Sequence, residues 1–363
     1  MARRQEQENA RTEVTEVAPN VLRMELPIHL PGLGHVNCYA LIDGEGAAVV
    51  DPGLPGPLSW RAIQHRLARA DLRVKNIHTV IVTHSHPDHF GGAQRMQKES
   101  GARIVAYQNF SFGPMRPTLL EPEVSVDDLA AHAQAHEAAE PEDRPHESKP
   151  ATSQRGLTPW GGKRPGFTLG QQIKWRAMRW LGRSTFIPDT ISPVHHGQML
   201  KLAGREFFVL HTPGHTEDHL CLHDPETGTL LAGDHILPTI TPHISGLTAS
   251  PDPLALFFES LDQVGEIQGV KQVLPAHGHP FTDLGGRAEA IKRHHHERLE
   301  KVKAISRELG PASVQAFSHK LFHPRSWGPM AESETYAHLE HLRLAGEAEH
   351  HAGEDGRLIY VTG

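Results

Sequence analysis

The chain has 363 residues, of which 36 are Lys or Arg and 43 are Asp or Glu, so its formal net charge is −7. The length allows a large core or about two to three domains, and the mild acidity argues against a protein that mainly binds nucleic-acid backbones. The two cysteines exclude a disulfide framework and a Cys-rich zinc module, and no apolar run is long enough to predict a membrane span.

Polar and charged residues dominate the first 15 positions, and we expect them to form a frayed terminus. They lack the apolar stretch of a secretory signal, which predicts a soluble protein located in the cytoplasm. The pattern then becomes β-like: Val21–Ile28 alternates, and Asn37–Asp43 and Ala47–Asp51 flank a Gly-Glu-Gly turn. The last two runs predict a hairpin.

Strands and helices alternate in the next part of the chain. Pro57–Leu72 has the apolar spacing of an amphipathic helix, and His78–His84 is an apolar strand that ends in histidines. Gly91–Ser100 predicts another helix, and Ala102–Tyr107 predicts another strand. This alternation indicates an α/β core that is built in layers.

The pattern breaks near Ser111, where a long segment rich in Pro, Ala, His and Glu begins. We interpret residues 113–187 as an insertion that is partly disordered or loosely helical. Trp160, Trp175 and Trp180 lie in its second half. The insertion could be a peripheral cap, or a lid or oligomer arm over an active site, and its tryptophans favour a homodimer.

A β-like pattern returns after the insertion. Met199–His215 predicts a hairpin about Ala203, and a second hairpin is predicted about residues 225–228. Leu254–Val264 predicts a helix, and Lys271–His277 predicts a strand that again ends in histidine. These segments extend the layered core beyond the insertion.

The last part of the chain is mainly helical. Gly286–Leu309, Ala312–Leu321 and Glu334–Ala345 predict three helices, and the final residues predict a hairpin. This order is similar to that of a small winged-helix domain. We therefore predict a first domain at residues 17–285, which contains the insertion, and a helical, winged-helix-like domain at residues 286–363.

Histidine is unusually frequent, with 29 in the chain, and it is the commonest metal ligand. The densest cluster comprises His84, His86, Asp88 and His89, directly after an apolar strand. Residues i and i+2 of an extended segment point the same way, so His84 and His86 can share one metal ion. Asp88 and His89 lie in the turn before the next helix and can face a second metal ion.

Three more residues of ligand type each follow a β-like run. His215, Asp234 and His277 stand where such runs stop. Polar side chains at the ends of apolar strands predict a site at one edge of a sheet, where loops on a rigid scaffold commonly carry function.

Five motifs in this order resemble the metallo-β-lactamase fold superfamily. They are VVDPG at 49–53, HSHPDH at 84–89, GHT at 214–216, GD at 233–234 and AHGH at 276–279. The resemblance covers about residues 17–110 and 188–285, and it implies a four-layer αβ/βα sandwich.

The resemblance also implies a ligand set. Asp234 would bridge two metal ions, and Asp51 would hold the HSHPDH loop through hydrogen bonds. The first ion would take His84, His86 and His215, and the second would take Asp88, His89 and His277.

The residue types narrow the kind of member that the chain resembles. Asp234 replaces the Cys of zinc β-lactamases that destroy antibiotics, as in glyoxalase II, lactonase and nuclease types. His84 and His86 distinguish the chain from the diiron oxygen reductases, which have an acid in this motif. The C-terminal part resembles that of hydrolases called β-lactamase-like protein 2, whose activities include ribonuclease chemistry, while related proteins are commonly named thioesterases or lactonases.

Imidazole and carboxylate ligands predict two divalent metal ions, with Zn²⁺ favoured and Fe or Mn as alternatives. Such a pair lowers the pKa of a bridging water toward ~7, so that hydroxide can attack a carbonyl or phosphoryl centre. We expect Asp88 to be catalytic, because it is placed to orient this nucleophile and to move its proton.

The leading hypothesis is a dinuclear metal hydrolase of a small ester, thioester or lactone. One alternative is a metallo-ribonuclease that uses the C-terminal domain for its substrate, although the charge balance and the lack of a basic patch oppose nucleic acid as a partner. Another is a mononuclear iron oxidoreductase similar to persulfide dioxygenases, which the complete set of seven ligands opposes. A non-catalytic binding protein is a fourth hypothesis, and the same ligand set opposes it.

Other polar residues near the motifs carry weaker hypotheses. Thr241 and His243 are candidate substrate contacts on the segment after Asp234. We interpret the remaining histidines of this kind as polar loop residues or as a solvated helix face; they are His219, His235 and His279 in loops, and His294, His295 and His296 on a helix.

Overall fold

The computed structural model describes residues 4–30, 32–112, 116–120, 157–161 and 186–363. Most of the predicted insertion at 113–187, including Trp175 and Trp180, lies outside the described residues. Its roles as a cap, a lid or an oligomer arm therefore stay predictions.

Eight strands of the described chain form the first sheet, in the order β1-β2-β3-β4-β5-β6-β8-β7. The pairs from β1 to β4 are antiparallel, and those from β4 onward are parallel. The strands are β1 (Val14–Ala18), β2 (Val21–Leu30), β3 (Leu33–Asp43), β4 (Gly46–Val50), β5 (Ile77–Ile81), β6 (Arg103–Tyr107), β7 (Thr118–Leu119) and β8 (Thr190–Val194).

Five further strands of the described chain form the second sheet, in the order β13-β12-β11-β10-β9. This sheet is antiparallel except for the parallel pair of β12 and β13. The strands are β9 (Met199–Leu202), β10 (Arg205–His211), β11 (Leu220–Asp224), β12 (Thr229–Gly233) and β13 (Gln272–Pro275).

Helices connect and cover these sheets, and a third, small sheet has the order β14-β16-β15. The α-helices of the described chain are α1 (Pro57–Arg69), α2 (Pro87–Phe90), α3 (Ala93–Ser100), α4 (Pro253–Gly265), α5 (Leu284–Leu309), α6 (Val314–Leu321) and α7 (Pro329–Leu344). The small sheet comprises β14 (Ala312–Ser313), β15 (Ala348–Ala352) and β16 (Leu358–Thr362). Short 3-10 turns lie at Gln5–Gln7, Val74–Asn76 and Pro324–Ser326.

Alternating side chains of the strands divide the core into layers. In β5, Val80 packs in the cluster that contains α1 and α3, whereas its neighbour Ile81 packs in the cluster between the two sheets. In β12, Leu230 packs in the cluster that contains α4 and α5, whereas Leu231 faces the other sheet. Both sheets are therefore buried on both faces, which confirms the predicted α/β sandwich.

The C-terminal helices share one apolar cluster with the second sheet. Val302, Phe317 and Tyr360 belong to the same buried cluster as Phe257 of α4 and Leu230 of β12. The order α5, β14, α6, α7 and a final hairpin follows the predicted order, except that β14 precedes the second helix. The winged-helix-like assignment and the domain boundary at 285/286 stay predictions.

The expectation of a frayed N-terminus is wrong for residues 4–15, of which Val14 and Thr15 already belong to β1. Glu6 is fully buried, and its carboxylate accepts hydrogen bonds from the backbone N–H groups of Thr239 (2.8 Å) and Ile240 (3.2 Å) and from the Thr239 hydroxyl. A buried charge is tolerated when donors surround it, so these bonds fasten the N-terminal segment to the loop that follows β12.

The expectation of a solvated histidine face on α5 is wrong for His295. His296 is exposed, but His295 is completely buried and packs on Phe257. His295 Nδ1 donates to Nε2 of His338 (3.1 Å), and His338 Nδ1 donates to the carbonyl oxygen of Glu334 (2.7 Å). Burial lowers the pKa of His295 to about 2 and that of His338 to about 4, so both imidazoles are neutral at neutral pH.

The helices of the described residues include none that is both long and apolar enough to cross a membrane.

These two histidines predict how stability depends on pH. Their folded pKa values lie below the ordinary 6.5, so the unfolded chain binds more protons once the pH falls below that value. Each buried histidine should lower the free energy of unfolding by up to about 1.4 kcal/mol for every unit by which the pH falls. His295→Gln should therefore flatten the loss of stability measured by urea unfolding at a series of pH values from neutral to acid.

The control is His351→Gln, because His351 is exposed on β15. It should leave the pH dependence unchanged. An equal pH dependence in the wild type and in His295→Gln would show that the buried pair does not govern acid stability.

Candidate metal centre

The HSHPDH loop begins where β5 ends and continues into α2. His86 has extended backbone angles (φ −85°, ψ 140°), and the helix begins at Pro87, whose ring is tolerated at the first helical position. This turn lies close to Pro55 in the segment after β4. Gly91 permits the approach, since a side chain there would clash: its Cβ would lie 2.2 Å from Cδ of Pro55. The backbone thus turns tightly, with Asp88 and His89 on the first helical turn.

The remaining candidate ligands reach the same edge of the sandwich from the second sheet. Asp234 follows β12 directly, and His277 follows β13 by two residues. Because β12 and β13 are parallel, their carboxyl ends lie at one edge. His215 lies in the loop between β10 and β11.

Four ligand atoms form a compact first group, which we call site one: His84, His86, His215 and Asp234. Nδ1 of His86 lies 2.9 Å from Nε2 of His84 and 3.1 Å from Nε2 of His215. Oδ2 of Asp234 lies 3.5 Å from Nε2 of His215 and 3.9 Å from Nε2 of His84. Ligand atoms around a zinc ion with bonds of about 2.0–2.2 Å lie about 3.3–3.6 Å apart. The separations here scatter on both sides of that range, and all four atoms lie within 4.8 Å of one another, close enough to hold one ion.

A second group, which we call site two, comprises Asp88, His89 and His277. Oδ2 of Asp88 lies 3.6 Å from Nε2 of His277 and 3.7 Å from Nε2 of His89. Asp234 reaches this group too, with Oδ2 3.5 Å from Nε2 of His89 and Oδ1 3.3 Å from Nε2 of His277. The Asp234 carboxylate is therefore common to the two groups.

Three atoms that face this centre are buried and have no hydrogen-bond partner among the described residues. They are Nε2 of His89, Nε2 of His277 and Oδ1 of Asp234. A buried polar atom without a partner costs free energy, and such atoms are rare in folded proteins. A metal cation would satisfy all three, so the residues fit the metal ions that the motifs imply.

Oxygen atoms behind the imidazoles fix which nitrogen faces the centre. Nδ1 of His89 donates to Oδ2 of Asp51 (2.8 Å), and Nδ1 of His84 donates to Oγ1 of Thr83 (3.0 Å). Two backbone carbonyl groups serve two further imidazoles in the same way: His243 O accepts from Nδ1 of His215 (2.8 Å), and His35 O accepts from Nδ1 of His277 (2.7 Å). With Nδ1 protonated, Nε2 of each of these four rings presents a lone pair to the centre, as a ligand must. His86 instead turns Nδ1 toward the centre.

Asp51 holds the loop as well as one ligand. Its carboxylate accepts hydrogen bonds from the Thr83 backbone N–H (2.9 Å), the Thr83 hydroxyl (2.8 Å) and His89. Asp51 is almost completely buried and has a positive φ of 53°, which turns the chain after β4 toward the centre. This is the position that the motif resemblance implied.

Burial and neighbouring charges leave His84, His86 and Asp234 in the protonation states that metal binding requires. Burial, followed by the positive charge of neighbouring histidines, holds the pKa of His84 and His86 well below the ordinary value, so both are neutral. Burial alone would raise the pKa of Asp234, but His277 and His89 outweigh it and hold that pKa well below its usual range. The carboxylates of Asp234 and Asp88 outweigh burial and raise the pKa of His89 and His277, so that a metal ion binding to these two rings would displace protons.

His219 and His235 lie in loops, as interpreted, but the sequence did not indicate their burial. Both are completely buried. Nε2 of His219 accepts the backbone N–H of Asp234 (3.0 Å), and its Nδ1 donates to Oγ1 of Thr212 (2.7 Å), so His219 positions the shared carboxylate from behind. One feature of the sequence could have indicated this burial: His219 directly precedes the apolar strand β11. Neither ring nitrogen of His235 has a hydrogen-bond partner among the described residues, and burial lowers its pKa to about 3.

The other candidates lie around the centre. His279 contacts the N-terminal segment through Oε2 of Glu8 (3.1 Å). Thr241 and His243 are partly buried on the loop after Asp234. Nδ1 of His243 bonds Oε2 of Glu334 (3.2 Å), a partner on α7 that sequence patterns did not indicate. Contact of Thr241 or His243 with a substrate stays a prediction.

Comparison with known proteins gives a consistent result. The model of the metallo-beta-lactamase superfamily matches residues 31–319. A crystal structure of a metallo-beta-lactamase family protein from Thermus thermophilus has a TM-score of 0.71 and 28% identity, and the match covers 96% of this chain and 100% of that chain. A beta-lactamase domain protein from Burkholderia ambifaria has a TM-score of 0.70 and 24% identity over 98% of this chain and 96% of that chain, which shows the fold alone.

Curated relatives match over shorter segments. A beta-lactamase-like protein 2 homolog of Drosophila melanogaster is 29% identical over 167 residues, which is 44% of this chain and 54% of the relative. An atrochrysone carboxyl ACP thioesterase of Aspergillus novofumigatus is 32% identical over 125 residues, 33% of this chain and 36% of the relative. A lactamase-like protein of Aspergillus fumigatus is 30% identical over 113 residues, 31% and 32% of the two chains. The chain thus spans from a third to a half of the length of these relatives.

The hydrogen bonds of Asp51 generate a prediction. Asp51→Asn replaces one carboxylate oxygen by a donor, which cannot accept from both Thr83 and His89. We expect metal affinity to fall by about 10- to 100-fold, as for other residues that orient metal ligands. Titration with Zn²⁺ against a competing chelator measures this loss.

Asp43→Asn is the matched control. Asp43 is a partly exposed carboxylate at the end of β3 that bonds Nε2 of His78 (3.1 Å), away from the centre. An Asp51→Asn variant that keeps its circular dichroism spectrum and binds zinc as tightly as this control would contradict the role of Asp51.

Proposed function

The chain belongs to the metallo-β-lactamase superfamily, and from this premise we propose that it is a dinuclear metal-dependent hydrolase of a small ester, thioester or lactone. The observation that carries the proposal is the convergence of seven buried or partly buried ligand residues into two groups that share the carboxylate of Asp234. A single ion would leave one of the groups without a partner, which argues against the mononuclear iron oxidoreductase.

Zn²⁺ is the metal that we propose, with Fe or Mn as alternatives. The ligand atoms are imidazole nitrogens and carboxylate oxygens, a set that suits all three. Site one would be held by His84, His86 and His215, and site two by Asp88, His89 and His277, with Asp234 between them.

Two bound divalent cations would supply Lewis acidity and lower the pKa of a water toward ~7, so that hydroxide is available at neutral pH. The side chains of the protein supply negative charge, positioning and proton transfer. Asp234 holds its negative charge between the two groups, and His219 fixes its backbone. The water oxygen would form a bond to the acyl carbon while the C–O or C–S bond breaks. Asp88 would accept the water proton at its carboxylate and deliver it to the leaving alkoxide or thiolate.

Two observations favour a thioester, ester or lactone substrate over a β-lactam. Asp234 stands where antibiotic-hydrolysing zinc enzymes have Cys, so a β-lactam is not the substrate that we propose. Two of the similar fungal proteins are named atrochrysone carboxyl ACP thioesterases. We therefore rank acyl thioesters first, with simple esters and lactones next.

The test is a substrate panel on the full chain, before and after chelation and zinc restoration. We expect hydrolysis of a thioester, ester or lactone that chelator abolishes and Zn²⁺ restores. Metal-dependent cleavage of RNA with no acyl hydrolysis would contradict the proposal in favour of the ribonuclease alternative, and oxygen uptake with a persulfide would contradict it in favour of the dioxygenase. Location in the cytoplasm and a homodimeric state remain predictions.

A substitution at Asp88 tests the proposed proton transfer most directly. Asp88→Asn keeps the size of the side chain and one oxygen that can still act as a ligand at site two, but removes its capacity to take a proton. We expect kcat to fall by about 10²- to 10⁴-fold, because proton transfer by a positioned group contributes a factor of this size. Steady-state kinetics on protein whose metal content has been measured test this directly.

Glu99→Gln serves as control, because Glu99 is an exposed residue of α3 that pairs with Arg95. It should keep wild-type kcat. Full activity in a correctly metallated Asp88→Asn protein would reject the proton-shuttling role.

A further inference from the structure

The orientation of one ligand of site one depends on a loop without regular structure. His215 donates from Nδ1 to the carbonyl oxygen of His243 (2.8 Å). His243 belongs to the loop of residues 237–246, which follows Asp234 and precedes α4. A carbonyl group on an irregular segment can orient a ligand only if other contacts fix that segment.

The C-terminal helix α7 makes these contacts. Oγ of Ser333 accepts the backbone N–H of Gly246 (3.0 Å) and bonds the hydroxyl of Ser245 (3.1 Å). The loop lies so close to α7 that a Cβ on Gly246 would be 2.5 Å from Cδ1 of Tyr336. One turn of this helix therefore forms the surface on which the loop rests.

Glu334, the next residue on α7, contacts His243 itself. Its Oε2 accepts from Nδ1 of His243 (3.2 Å), and its Oε1 accepts from the guanidinium group of Arg298 on α5. Glu334 is only 8% exposed. Burial alone would raise its pKa, but the hydrogen bond with His243 and the charge of Arg298 lower it to about 2, so the side chain is a carboxylate. A buried carboxylate with two such partners holds its geometry rigidly.

Other contacts fix the rest of the loop but do not touch His243. Arg287 of α5 donates to the carbonyl oxygens of Leu237 (2.6 Å) and Ile240 (2.7 Å). Glu6 of the N-terminal segment accepts from Thr239 and Ile240. Among the described residues, the contact of Glu334 is the one that links a charged side chain to the residue that orients His215.

We propose that Glu334 is a positioning residue of the metal centre: its carboxylate, held by Arg298, fixes His243 and thereby the carbonyl group that orients His215. The C-terminal region is then part of site one, although it supplies none of its ligands. This inference rests on the proposed function, because it requires a metal ion at site one. Site two should not depend on Glu334, since Asp51 and His35 orient its histidines.

The experiment is a Co²⁺ titration of the full chain, in which the visible absorption of bound Co²⁺ and competition with a chelator report the two sites separately. We expect Glu334→Ala to weaken one binding step by about 10- to 100-fold and to alter its absorption, and to leave the other step unchanged. Glu334→Gln keeps an oxygen that can accept from His243, so it should lose less affinity than Glu334→Ala.

Glu340→Gln is the matched control. Glu340 lies on the same helix, is also 8% exposed, and bonds Arg343 and the hydroxyl of Tyr360 instead of the loop. It should bind Co²⁺ as the wild type does. An equal loss in Glu340→Gln would show that damage to α7, and not the contact with His243, causes the effect, and would overturn the proposal.

A double-mutant cycle with His215→Ala assigns the affected step. If Glu334 acts through His215, adding Glu334→Ala to His215→Ala should weaken Co²⁺ binding no further. Additive losses, or two unchanged steps in Glu334→Ala, would overturn the role of Glu334 while leaving the dinuclear hydrolase intact. A wild-type chain that binds no Co²⁺ at either site would instead contradict the proposed function.

Discussion

The negative charge of Asp234, buried among the imidazoles of two sites, is the constraint on which the rest of the structure depends. A carboxylate is costly to bury unless charges or donors surround it, and here His215, His89 and His277 all lie within 3.5 Å of its oxygens. The parallel end of β12 beside β13 and the bond from its N–H to His219 keep it in this place. The sandwich can be understood as the scaffold that holds one carboxylate where two metal ions would share it.

The ligand imidazoles are oriented by parts of the chain that are far apart in sequence. The oxygen atoms behind four of them come from β3, from the turn after β4, from Thr83 just before the HSHPDH loop, and from the loop after Asp234. The two ends of the chain fasten that last loop, through Glu6 at one end and Glu334 at the other. The geometry of the centre thus depends on the whole tertiary structure, which is why a change on a distant helix can alter metal binding.

Motif spacing was enough to predict the superfamily, the layered fold and the seven residues that converge, because the motifs follow strands whose apolar pattern is strong. Patterns of polarity could not show burial that depends on distant partners. Glu6 looked like part of a polar terminus, since its donors lie more than 230 residues away in Thr239 and Ile240. His295 looked solvated because α5 has charged neighbours on both sides, yet α4 and α7 cover that position. Likewise β14 has only two residues, too few for an alternating pattern of polarity to distinguish it from the helix that follows.

In the proposed centre, two metal ions would share the carboxylate of Asp234. Elemental analysis of the full chain, purified without added metal, tests it most directly. We expect about two ions of Zn, Mn or Fe per chain, as for other sites in which two metal ions act together. One iron and no zinc per chain would contradict it, because a single ion leaves the ligand atoms of one group without a partner.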